Sequence, residues 1–193
     1  GFLLGLMSYL IGSIPFSYLI PRWMGKIDIR LHGSGNTGTT NVVRTLGLKI
    51  GVLAFIGDFA KGILPTLIGF TYFGDLGGIL CASFSVIGHC HPIWLKFKGG
   101  KGVATSAGVL VVLFPYIFIL LLIFQFLIIA ATRYMSLASI SSALLLPVLA
   151  ILFSKGEILI YFSVGLAAYV IFRHRANLMR LLKGTESKLG KKK

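Results

Sequence analysis

Acidic residues are nearly absent: the chain of 193 residues contains five Asp and Glu together. Charged residues of both signs make up 12% of it, against roughly 25% in a soluble domain. So few cannot cover the surface of a water-soluble globule, and that class is excluded. Cysteine is scarce as well. Cys81 and Cys90 lie in one apolar stretch, which leaves neither a disulfide framework nor a Cys-x-x-Cys metal site; both read as small buried hydrophobes. Disorder is excluded by the 56% apolar content and the mean hydropathy of +0.90, because Leu, Ile, Val and Phe dominate. No basic segment precedes the first apolar run, residues 2–24, and Arg22 and Lys26 mark its far end. It reads as a retained span rather than a cleaved signal peptide. No internal repeat or linker interrupts the sequence, so residues 1–193 are expected to form a single membrane domain.

Apolar sequence and positive charge are what the chain has in quantity. Its 19 Lys and Arg give a net charge of +14. In a membrane protein such an excess orients the spans and attracts anionic lipids and phosphorylated solutes. Membrane lipid is therefore an expected partner and nucleic acid is not. A helix needs about 20 apolar residues to cross a hydrocarbon core of roughly 30 Å. Residues 2–24, 50–73, 75–95, 134–153 and 157–172 qualify, and the long run 103–132 holds Pro115. Charge decides how that run is used. With the N-terminus outside and a turn at Pro115, only Lys155 and Lys61, the latter within a span, fail to reach the cytoplasmic side. Without the turn, the basic tail through Lys191 to Lys193 would face outward, against the positive-inside rule. The sequence thus predicts an all-α, polytopic integral membrane protein of seven transmembrane helices. One is short, at about 103–114, and ends at Pro115. It would rise only about 18 Å, so either it starts below the cytoplasmic surface or the bilayer thins there, and the glycine-rich segment before it is a candidate to line a polar cavity.

Three polar segments interrupt the apolar chain, and this topology places all of them on the cytoplasmic face. The first, residues 33–44, reads Gly-Ser-Gly-Asn-Thr-Gly-Thr-Thr-Asn-Val-Val-Arg. It contains a formal Gly-x-Gly-x-x-Gly, but no strand precedes it and Asp58 lies in a span, so the dinucleotide reading fails. What remains is a dense set of backbone N–H, hydroxyl and amide donors with one guanidinium, suited to an oxyanion. The second runs from Gly88-His89-Cys90-His91-Pro92 to Phe97-Lys98-Gly99-Gly100-Lys101-Gly102-Val103-Ala104-Thr105. Glycines and a lysine immediately before a helix form an anion site. The two histidines lack a third spaced ligand and read as helix-interior or capping residues. The third is His174-Arg175-Ala176-Asn177-Leu178-Met179-Arg180-Leu181-Leu182-Lys183-Gly184-Thr185-Glu186. On a continuing helix, His174, Asn177 and Arg180 share a face; taken alone, the segment also reads as an amphipathic surface helix. Asp58 and Lys61, three apart within a span, should pair, because each alone at mid-bilayer costs roughly 2.5–3.5 kcal/mol.

These three segments, in this order, resemble the motifs of the bacterial acyl-phosphate:glycerol-3-phosphate acyltransferases, the PlsY family, and Asp58-x-x-Lys61-Gly62 is similar to that family's second span. The resemblance runs the length of the chain. It implies transfer of a fatty acyl group from acyl phosphate to the 1-hydroxyl of sn-glycerol 3-phosphate, giving lysophosphatidic acid and phosphate for phospholipid biosynthesis. It implies a monomer in the bacterial inner membrane, a cytoplasm-facing active site, and no metal or other cofactor. Lys98, Gly99, Gly100, Lys101 and Gly102 are expected at the acyl-phosphate head. Arg44, Lys101, His174 and Asn177 are expected to be catalytic and to hold the phosphate of glycerol phosphate with Ser34, Asn36 and Asn41. Gly35, Thr40, His89, Thr105, Arg180 and Glu186 complete the expected substrate-binding set, and Ser139 or Ser142 supplies a further hydroxyl. Sequence does not divide the cations between the two phosphates. It leaves two candidates for the base, His174 and the substrate's own phosphate, of which the resemblance favours the second. An organic-anion transporter and a membrane lipid phosphatase are the competing classes.

Overall fold

The computed structural model describes residues 1–190; Lys191 to Lys193, counted above in the basic tail, lie outside the described residues. Among those described there are nine α-helices, two 3-10 turns and no strand. Long apolar runs leave the backbone no partner but itself in hydrocarbon, and the helix is the open-chain solution. The stretches Phe2–Met24, Leu48–Leu95, Pro115–Thr132 and Met135–Leu152 are long and apolar enough to cross a bilayer, and Glu157–Arg173 with Arg175–Leu182 makes a fifth, bent by 62°. The protein is an all-α, polytopic integral membrane protein.

The chain divides into two compact units, Gly1–Leu113 and Phe114–Lys193. In the first, α1 (Phe2–Gly12), α2 (Phe16–Met24), α3 (Thr39–Leu46) and α5 (Val103–Leu113) all pack on α4 (Leu48–Cys90). Helix α4 is a hairpin. At Gly74 the backbone takes φ 61° and ψ −154°, a region essentially restricted to glycine, and the chain doubles back. Gly69 and Gly77 then face each other so closely that a Cβ on either would overlap the other's carbonyl. Gly12 against Ser85, Gly62 against Thr105, and Gly108 against Phe59 repeat this backbone-to-backbone approach, the means by which helices associate where lipid removes the hydrophobic drive. In the second unit, α7 (Met135–Leu152) packs against α6 (Pro115–Thr132), α8 (Glu157–Arg173) and α9 (Arg175–Leu182). Phe114 and Phe162 stack with centroids 6.4 Å apart.

The short helix is as expected: α5 has 11 residues, Phe114 caps the next helix and Pro115 opens it, where its missing N–H costs nothing. In three places the helices depart from straight, unbroken rods. The first span is not one helix but α1 and α2, separated at Ser13–Ile14–Pro15, because Pro15 disfavours helical backbone in the residue before it. The span ending at Leu95 stops as a helix at Cys90, two residues before Pro92, and Ile93–Leu95 is a separate 3-10 turn. The helix does not continue straight past Phe172; it bends by 62° at His174, the joint between α8 and α9.

Candidate active site

In the first unit the loop before α3 is organised by one side chain. Asn41, 2% exposed, donates its amide hydrogens towards the carbonyls of Ile29, His32 and Asn36 at 3.3, 3.0 and 3.1 Å, and its Oδ1 accepts from Ser34 N at 2.9 Å. The motif's second Asn thus folds the loop and has no hydrogen left over for a phosphate. Ser34 and Gly35 are exposed, Asn36 and Thr40 are half-buried, and Arg44 is half-buried on the last turn of α3. Ile29, Val42 and Ala54, all fully buried, form the apolar core beneath. Upstream, the Arg30 guanidinium hydrogen-bonds the Asp28 carboxylate at 2.6–3.2 Å. That contact outweighs the carboxyl's modest desolvation and lowers its pKa to about 2.

The second segment returns onto the end of α4. Gly99 N donates to Cys90 O at 3.1 Å and Gly100 N to His89 O at 3.2 Å. Tyr9 Oη donates to His91 O at 2.8 Å and ties α1 to the same turn. Lys96 and Phe97 adopt positive φ (52° and 60°), strained for non-glycine residues. A Cβ on Gly100 would run into the His89 ring, so only glycine lets the loop lie this close. Gly102 at φ 86° leads directly into α5, whose first N–H groups have no intrahelical acceptor. Lys98 is exposed and Lys101 half-buried beside them. Thr105 is not at the mouth of this site: fully buried, it donates from Oγ1 to Asp58 O at 2.9 Å.

Behind the loop lies a buried polar network. Asp58 and Lys61, 1% and 2% exposed, pair at 2.8 Å. Ser17 Oγ donates to Asp58 Oδ2 at 2.5 Å, Lys61 Nζ donates to Ile14 O at 2.6 Å, and His89 Nδ1 lies 3.5 Å from Asp58 Oδ1. The break between α1 and α2 is what frees the Ile14 carbonyl for Lys61. The expected pair is present, and the ring of His89 joins it instead of pointing to solvent.

The second unit holds the third segment. His174 is 3% exposed, with Nδ1 2.8 Å from Val170 O. A carbonyl only accepts, so Nδ1 carries a proton directed at Val170 O. Glu186 gathers three donors: Ser136 Oγ at 2.8 Å, Asn177 Nδ2 at 2.8 Å and Arg180 Nε at 2.7 Å. Burial works against its charge, but the hydrogen bonds from Asn177, Arg180 and Ser136 prevail and hold its pKa below the ordinary value. Its carboxylate is thereby occupied within the protein. Leu189 N donates to Arg133 O at 2.8 Å and Arg133 Nε to Leu189 O at 3.2 Å, fastening the tail to the turn between α6 and α7. Ser139 turns back to Met135 O at 2.9 Å, whereas Ser142 Oγ is buried with no hydrogen-bond partner among the described residues. Ser136 was not foreseen as a site residue, although it precedes Ser139 and Ser142 at three-residue intervals on one helix. That spacing was its signal.

An all-helical membrane protein with cations, amides and glycine-framed N–H groups gathered at its helix ends is the class these features define. The family described as Glycerol-3-phosphate acyltransferase matches residues 2–184. The glycerol-3-phosphate acyltransferase of Syntrophomonas wolfei is 44% identical over 183 residues, covering 95% of this chain and 94% of that one. That of Bacillus subtilis is 41% identical over 187 residues, covering 97% and 96%. A crystal structure of PlsY (YgiH), an integral membrane glycerol 3-phosphate acyltransferase, in its glycerol 3-phosphate form superposes with a TM-score of 0.93. It is 38% identical and covers 98% of this chain and 95% of its own. Its lysophosphatidic acid form gives 0.91 at 37% identity. The chain belongs to the glycerol-3-phosphate acyltransferase (PlsY) family.

Proposed function

We propose that the protein transfers a fatty acyl group from acyl phosphate to the 1-hydroxyl of sn-glycerol 3-phosphate, producing lysophosphatidic acid and phosphate. The observation that carries this reading is the full-length likeness to an acyltransferase solved with glycerol 3-phosphate. The local geometry agrees with it. The loop Gly99 to Gly102, with the first two N–H groups given to Cys90 O and His89 O, frames the opening N–H groups of α5, which with Lys98 and Lys101 take the acyl-phosphate head. The groups proposed for the phosphates of the two substrates are the cations Arg44 and Lys101 in the first unit and the imidazole of His174 in the second. Ser34, Asn36 and Thr40 add side-chain donors on the α3 loop, where Gly35 gives its N–H to His32 O and shapes the turn, and Ser142 adds a hydroxyl. Asn41 and Thr105 shape the first unit, and Glu186 the second, through the internal bonds described above.

The chemistry is an acyl substitution. The C1 oxygen of glycerol phosphate adds to the acyl carbon, and its proton passes to that substrate's own phosphate, whose second pKa is near 6 by analogy with phosphoserine. The tetrahedral oxyanion collapses, the bond from acyl carbon to phosphate oxygen breaks, and phosphate departs onto the cations. The protein supplies positioning and charge stabilisation. We place the protein in the bacterial inner membrane, as a monomer with seven crossings, the N-terminus outside and these segments facing the cytoplasm. Both units then serve a single activity.

The test uses purified protein in detergent with acyl phosphate, with and without glycerol 3-phosphate. Phosphate release that depends on the acceptor supports the assignment. Acceptor-independent release would indicate a phosphatase, and no release a transporter. Acyl coenzyme A should not replace acyl phosphate. Outside labelling, in sealed vesicles, of a cysteine placed at Gly190 would overturn the orientation.

A further inference from the structure

The glycine loop before α5 leans on one histidine. Gly99 N and Gly100 N donate to the carbonyls of Cys90 and His89 at 3.1 and 3.2 Å, two of the acceptors that the end of α4 leaves open. The ring of His89 does more. It is buried, and its two edges meet different partners. Nδ1 lies 3.5 Å from Asp58 Oδ1, and a carboxylate selects an N–H edge of the ring. The opposite edge, Nε2 with Cε1 and Cδ2, lies directly under Gly100, where a Cβ would overlap it. Gly100 is not among the glycines at positive φ, so the ring, and not the backbone conformation, bars a side chain there. Asp58 also reaches the far end of the same segment, because Thr105 Oγ1 donates to its carbonyl at 2.9 Å.

A phosphate site built on backbone N–H groups works only while those groups converge on one point, and a misplacement of about 1 Å can cost on the order of 10²-fold. Glycine-rich backbone does not hold such a geometry by itself, because glycine is the least restricted residue. Between Gly100 and Thr105 lie Lys101, Gly102 and the N–H groups that open α5. Asp58 fixes both ends of this stretch, one through the His89 ring and the other through Thr105. Lys61 at 2.8 Å and the Ser17 hydroxyl hold the Asp58 carboxylate in turn. We infer that His89 is a positioning residue for the phosphate this loop takes: its imidazole is the floor beneath Gly100, and Asp58 orients that floor. This inference rests on the function proposed above. It makes His89 act through the loop instead of on the substrate, and gives the buried network a role in substrate binding besides stability.

The experiment is a double-mutant cycle of His89→Ala and Gly100→Ala, read as KM for acyl phosphate and for glycerol 3-phosphate. Each single variant should raise KM for acyl phosphate by about tenfold to a hundredfold and leave KM for glycerol 3-phosphate little changed. In the double variant the new methyl enters the space that the ring vacates. Its KM should then be no higher than that of the worse single variant, whereas independent sites would multiply their losses. A rise in KM for glycerol 3-phosphate instead, with the same coupling, would uphold the role of His89 and assign the loop to the acceptor's phosphate. Losses that multiply, or variants that lower only kcat or the thermal midpoint with both KM values unchanged, overturn the inference and leave the acyltransferase reading intact. His89→Asn, which keeps an N–H donor near Asp58 but removes the floor, completes the cycle if His89→Ala does not fold. Wild-type protein without acceptor-dependent phosphate release would overturn both.

Discussion

Replacing Asp58 by Asn tests the network that fastens α1, α2 and both arms of α4 together. The carboxylate is 1% exposed and 2.8 Å from Lys61, itself 2% exposed. Its loss strands a buried ammonium with only the Ile14 carbonyl at 2.6 Å. It also removes the charge to which Ser17 donates. Breaking one side of such a pair costs about 3–5 kcal/mol. In a chain of this length each kcal/mol moves the midpoint by about 2–4 °C, so Asp58→Asn should melt about 6–20 °C below wild type. Cys81 and Cys90 are fully buried and form no disulfide among the described residues, so a thiol-reactive fluorophore reports unfolding in detergent. Lys61→Met should also be destabilising, and the double variant should recover about 0.5–3 kcal/mol relative to the sum of the singles. An unchanged midpoint in Asp58→Asn, or strictly additive losses in the double variant, would refute the claim that the pair holds these helices.

Arg44→Ala and Lys101→Ala each remove a cation proposed to meet phosphate; a charged hydrogen bond is worth about 1.5–3 kcal/mol, so kcat/KM should fall roughly 10- to 150-fold with the thiol-reactivity midpoint preserved. His174→Ala should raise KM for glycerol 3-phosphate while saturating substrate restores most of kcat; a kcat about 10²–10⁴-fold lower at saturation would make His174 the base. Glu186 titrates below its ordinary value of 4.5 in the folded protein. Its ionised form therefore stabilises the fold fully above pH 4.5, and this contribution fades as the pH falls through the lower folded value. Thermal scans between pH 3 and 6 should show a loss of stability on the acid side that is smaller in Glu186→Gln.

The helix ends at Gly74 and Pro115 were legible, by steric rules that need no tertiary context, and the Asp58–Lys61 pair follows from three-residue spacing within an apolar run; the breaks at Pro15 and before Pro92 obey the same rules but were read through. The bend at His174 was not legible. No Pro or Gly stands there, and the histidine ring shares the Val170 carbonyl with its own backbone N–H. Side-chain commitments were the other blind spot. Asn41 reads as a free donor until the loop it clasps is seen, and Thr105 lies in a phosphate-like motif yet bonds the backbone of α4. Glu186 meets partners 9 and 50 residues away, a distance over which local pattern carries no information. The three motifs told where the polar chemistry sits, but not which of their atoms are already occupied.

The glycine contacts between helices bear on how stability should vary with temperature. A soluble domain gains its heat-capacity change on unfolding, about 12–15 cal/mol/K per residue, by wetting apolar side chains. Here many large apolar side chains already face outward, Phe126 at 70% and Leu122 at 55% exposure among them, and in a bilayer their solvent is hydrocarbon. Where Gly69 meets Gly77 and Gly62 meets Thr105, separating the helices exposes backbone and small side chains to lipid instead of carrying hydrocarbon into water. The enthalpy and entropy of that separation should therefore change little with temperature. The stability curve in a membrane should be broad and shallow, with no pronounced loss on cooling, so that an organism could shift its growth temperature widely before these helix contacts set the limit.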